Sequence, residues 1–68
     1  MQIQAEKVVA IDYTNWRGER AWRDIVPTGV VEFTSNEWHP EPQWLLHALD
    51  LQSGLVKLFA LNNIHTWA

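Results

Sequence analysis

Hydrophobic and polar residues alternate along most of the chain. From Val8 to Asn15, Val9, Ile11 and Tyr13 fall on one side, with Val8, Ala10, Asp12 and Thr14 on the other. A period of two, rich in β-branched residues, predicts a strand. "NWRGE" follows, and Gly18 supplies the positive φ that a tight hairpin turn requires. Arg20 to Val26 reads as the returning strand, with Trp22, Asp24 and Val26 on one face and Ala21, Arg23 and Ile25 on the other. Pro27 is expected to end its pairing, because it brings no N–H to a ladder. "TGVVEFT", residues 28–34, predicts a third short strand. "SNEWHPEP" is irregular, since Pro40 and Pro42 push His39 and Glu41 toward extended backbone.

The next segment, "QWLLHALDL", is ambiguous on local grounds. Gln43, His47 and Asp50 stand at helical spacing, and Pro42 suits a first helical position. "QSG" at 52–54 then signals a turn. "LVKLFAL", residues 55–61, alternates as a strand, and the tail "NNIHTWA" opens with another turn.

A chain of 68 residues is one small domain and buries only about 60% of its unfolded surface. It has no cysteine, so neither a disulfide nor a thiolate metal site can supplement the core. Five Trp can, since each aromatic buries about 150–250 Å². The N-terminal stretch to Tyr13 carries no secretory signal pattern, and no apolar run approaches the ~18 residues of a membrane span. A soluble cytoplasmic protein without a membrane partner is the expectation. A net charge of −3 argues against a general duplex-binding surface. The charge is uneven, however, because Arg17, Arg20 and Arg23 cluster around the first turn.

The order of these features resembles the WYL domain, a small SH3- or Sm-like β-barrel of bacterial regulators. That family carries an aromatic–hydrophobic triplet on a strand, an acidic–Gly turn, a basic residue, a Phe, and closing Leu and Ile. Here Trp44, Leu45 and Leu46 stand at the triplet and "DLQSG" at the turn. Lys57 takes the basic position, usually Arg, and Phe59, Leu61 and Ile64 follow. "IDYTNWRGERAWRDIVP" resembles the family's opening hairpin. The likeness implies that residues 43–51 are a strand paired with 55–61, and that the helical spacing is accidental. It implies a mainly β fold: a small, five-stranded antiparallel SH3/Sm-like barrel over the whole chain, compatible with one short helical turn near the C-terminus. Trp44 and Phe59 are then expected in the core, leaving Trp38 as the exposed aromatic of the "EWHPEPQW" stretch.

Catalysis finds little support. The three histidines, 39, 47 and 65, have no metal-binding spacing, and no nucleophile elbow, phosphate loop or paired-carboxylate motif appears. No cofactor, metal site or catalytic residue is expected, and the chain does not read as an enzyme. Binding is better supported. "NWRGERAWR" interleaves indoles, which stack on bases or cations, with guanidinium forks, which bind carboxylate or phosphate bidentately. The competing structural reading pairs Arg20 and Arg23 with Glu19 and Asp24. Strand parity separates Arg20 from Arg23 and favours Arg17 with Arg23. WYL domains are ligand-sensing modules with a basic, aromatic-lined face, which adds Lys57 and the rim of the stiff loop. The candidate ligand-binding residues are Trp16, Arg17, Arg23, Trp38, His39 and Lys57. The ligand expected is an anionic small molecule or nucleotide, with single-stranded nucleic acid also suited to this chemistry. Such domains usually adjoin a DNA-binding or enzymatic unit for which this chain has no room, which leaves action in trans on another protein, a place as one subunit of a ring, or sequestration of a signalling molecule, and the sequence does not choose among them. The alternative is a protein-interaction or self-assembly module, whether an inhibitor or a sequestering protein, because five Trp are hard to bury in so small a chain and strand edges recruit other chains.

Overall fold

The computed structural model describes residues 7–68, so part of the N-terminal stretch read for a secretory signal lies outside the described residues. Five strands follow in chain order: β1 (Val9–Thr14), β2 (Arg20–Thr34), β3 (Gln43–Asp50), β4 (Leu55–Ala60) and β5 (Ile64–Trp67). A 3-10 turn, Leu61–Asn63, precedes β5, so a short helical turn does stand near the C-terminus. The strands form one antiparallel sheet in the order β4-β3-β2-β1-β5. The small, mainly β, five-stranded fold expected from the sequence is what forms. Residues 43–50 are a strand, paired with β4 from Leu45↔Ala60 to Asp50↔Leu55, and not a helix. Among the described residues no ladder joins β4 to β5, so the sheet stays open there and the ring of a closed barrel is not completed.

Two strand assignments differ from the sequence expectation. Pro27 does not end its strand, and residues 20–34 form one continuous strand instead of two. β2 pairs with β1 up to Val9↔Ile25 and with β3 from Ile25↔Asp50 onward, so Ile25 belongs to both ladders. Pro27 lies opposite Ala48, just past the end of the β1 ladder, where a missing N–H costs β1 nothing. An irregularity between Pro27 and Val31 contains Gly29 at φ +90°, a left-handed conformation that suits glycine. The bend there lets a single strand serve both halves of the sheet. The fifth strand comes from the tail, whose Trp67 pairs with Ile11 of β1.

The core lies on the inner face of the sheet. Ile11, Tyr13, Ile25, Leu46, Ala48 and Phe59 form one buried cluster, with Val9, Leu61 and Ile64 packed against it. Phe59 is core, as expected. Trp44 is not; it is 55% exposed. The last β3–β4 pair is Leu45↔Ala60, so β4 offers Trp44 no partner, and its ring packs edge-on to Phe33 with ring centres 5.4 Å apart. The buried aromatic-loop residue of "EWHPEPQW" is instead His39.

Candidate functional site

Two asparagines build the loops that frame a cleft. Asn15 Oδ1 accepts from the N–H groups of Arg17 and Glu19, both at 2.9 Å, and closes the β1–β2 turn with Gly18 at positive φ. Asn36 Oδ1 accepts from the N–H groups of Trp38 at 3.0 Å and His39 at 2.7 Å. Its own N–H donates to the His39 carbonyl at 2.9 Å. Such side-chain-to-backbone bonds fix short loops without a ladder. Each loop presents an indole, and Trp16 and Trp38 meet with ring centres 4.9 Å apart.

Behind this pair opens a cleft of about 510 Å³. Tyr13 of β1 and Phe59 of β4 line its apolar part, edge to face at 5.1 Å. Arg23 from β2 and Lys57 from β4 line its polar part, and His39 closes one wall. Five of the six candidates, Trp16, Arg23, Trp38, His39 and Lys57, therefore share one cleft although 41 positions separate the first from the last. Arg17 stands apart. Its side chain is 64% exposed, its guanidinium sits over the Trp16 ring at 5.3 Å, and it pairs loosely with Glu19 at 3.7 Å.

The expected ion-pair partners also change. Arg20 binds Asp12 across the hairpin with two bonds of 3.0 and 2.8 Å, not Glu19. Arg23 faces Asp50, 3.8 Å away, and not Asp24. Asp50 was missed as a site residue. Its side chain is 1% exposed, and Oδ2 lies 3.1 Å from Lys57 Nζ. The carboxylate also accepts from the Gln52 N–H at 3.1 Å and the Ser53 hydroxyl at 3.3 Å. The "DLQSG" turn carried that signal, because Asp followed by Ser and Gly favours a carboxylate folded back on its own turn. Burial alone would raise the Asp50 carboxyl, but the Lys57 ammonium and these hydrogen bonds outweigh it and hold it below the ordinary carboxylate range.

Two polar groups on the cleft wall are unmet. Only 24% of the Arg23 side chain is exposed, and its ion pair with Asp50 is too long for a hydrogen bond. Among the described residues none of its guanidinium N–H groups has a hydrogen-bond partner. His39 is 7% exposed, and its ring nitrogens likewise find no partner among the described residues. No buried polar side-chain atom of the described residues is sealed off without a partner, so both groups keep some exposure, and both line the cleft. The other histidines are engaged elsewhere: His47 Nε2 lies 2.7 Å from Glu32 Oε1, and His65 Nε2 lies 2.7 Å from Thr14 Oγ1. Among the described residues no group of three or more His, Asp or Glu could hold a metal ion. No helix of the described residues is long and apolar enough to cross a membrane. No family model, curated protein or solved structure matches the chain.

Proposed function

We propose that the chain is a non-enzymatic binding module that takes a nucleotide-like or other anionic ligand into the cleft behind Trp16 and Trp38. One observation carries this reading. Arg23, three-quarters buried and with no side-chain hydrogen-bond partner among the described residues, lines a cleft together with Lys57, His39 and a paired indole surface. Leaving donors unpaired in a partly desolvated place costs stability unless an acceptor arrives, and an anion is the acceptor a guanidinium fork prefers. The resemblance of the "WLL…DLQSG…K.F.L" pattern to WYL domains supports the same reading, and a cytoplasmic setting belongs to it, since small anionic metabolites are plentiful there. Indole emission titrated with nucleotides and simple aromatic anions tests it. Arg23→Ala should lower affinity about ten- to a hundredfold, the value of one charge-assisted hydrogen bond. Arg17→Ala, outside the cleft wall, should change it far less. Unaltered emission with every anion at millimolar concentration would remove the reading.

A second reading, assembly with another protein chain, draws on the edge of the sheet. β4 pairs on one side only, and Leu55 and Val56 at its start are exposed. Light scattering across a range of concentrations separates the two, because a strict monomer that binds anions leaves nothing for assembly to explain.

A further inference from the structure

We infer that the cleft is built for a single negative charge on a flat apolar body, an aromatic monocarboxylate, and against the doubly charged phosphate of a nucleotide. The inference rests on the binding role proposed above and narrows it.

Charge comes first. Arg23 and Lys57 both face Asp50, at 3.8 and 3.1 Å, and Asp50 is sealed behind them. Two cations and one carboxylate leave one net positive charge at the wall. Arg17 adds nothing, since Glu19 answers it. A monoanion therefore neutralises the cleft, whereas a dianion leaves one charge uncompensated in a partly desolvated place. Arg23 also offers the planar fork that a carboxylate fits with two parallel bonds.

Shape and polarity point the same way. The Trp16–Trp38 pair, Tyr13 and Phe59 give the cleft flat apolar walls. Reading a nucleobase edge needs several free donors and acceptors, yet Asn15 is committed at both ends to Arg17 and Glu19, which leaves His39 and the Asn36 amide nitrogen among the uncharged groups of the lining side chains that have no partner in the described residues. The Asn36 oxygen is likewise committed to its own loop. An aromatic ring without polar edges brings no donors or acceptors of its own that would go unpaired against these apolar walls.

Three probes that share one body and differ in charge test this by calorimetry at about pH 8, where an aryl phosphate is a dianion: naphthamide, naphthoate and naphthyl phosphate. Naphthoate should bind about tenfold tighter than both others, the value of roughly one charged hydrogen bond. Asp50→Asn raises the wall to two positive charges and should reverse the order of the two anions. Should that variant fail to fold, Lys57→Gln serves instead. It should cost naphthoate about tenfold and leave naphthamide unchanged. Tighter binding of naphthyl phosphate by the wild type, or an unchanged order in Asp50→Asn, would overturn the inference while leaving anion binding intact. Failure of both anions to bind would remove the broader reading as well.

Discussion

The N–H of Ala60, at the end of β4, donates to the hydroxyl of Tyr13, on β1, at 3.1 Å. This bond spans 47 positions and ties β4 to β1, which no ladder joins among the described residues. The ring beneath the hydroxyl packs edge-on against Phe59, so one tyrosine both fills the core and ties the seam. Tyr13 and Phe59 also line the cleft. Seam and site are thus one structure.

Tyr13→Phe keeps the ring and deletes the acceptor, leaving a fully buried N–H at Ala60 unpaired. A loss of about 1–3 kcal/mol in urea unfolding is expected, with faster amide exchange at Ala60. Burial pushes the Tyr13 hydroxyl above its ordinary value, against the smaller opposing pull of the Ala60 N–H. A raised folded value means that its contribution is complete below the unfolded value of about 10 and is lost as pH rises through the folded one. The wild type should therefore lose stability in alkali more steeply than Tyr13→Phe.

Trp44→Ala should cost less than a core deletion, about 1–3 kcal/mol, the edge contact with Phe33 plus the half of the indole that is covered. Ile11→Ala, from the middle of the core, should cost more than Trp44→Ala, toward the upper part of the range of about 2–5 kcal/mol for such deletions. Equal losses in thermal melts of the two variants would place Trp44 inside after all.

Much of the fold was legible in the sequence. Odd positions of β1 face the core as their alternation says, and the turn at Gly18 falls where its freedom is needed. β3 could not be settled locally, because a polar stripe at helical spacing and a strand buried on both faces look alike over eight residues. Partners resolve it, since β3 is flanked by β2 and β4. Pro27 misled because a proline matters only on a side where a ladder continues. Trp44 misled because burial depends on how far the neighbouring strand extends. The cleft residues were singled out by chemistry, but their meeting was not legible. It depends on two asparagine-tied loops and on Asp50, whose role lies in a turn that reads as ordinary punctuation.

Acid should weaken the fold through Asp50. Its folded value lies below its unfolded one, so its stabilisation is present above about pH 4 and lost as pH falls through the lower folded value. Denaturant midpoints measured between about pH 5 and 2 should fall for the wild type and fall less for Asp50→Asn, which starts about 1–3 kcal/mol less stable. Parallel curves would show that another carboxylate carries the acid response.

The cleft itself is tested most directly by the five indole N–H signals of a proton–nitrogen correlation spectrum. On addition of naphthoate, the signals of Trp16 and Trp38 should shift together and saturate, while those of Trp22, Trp44 and Trp67 stay in place. Shifts confined to Trp22, Trp44 or Trp67, with Trp16 and Trp38 unmoved, would contradict a binding site in the cleft.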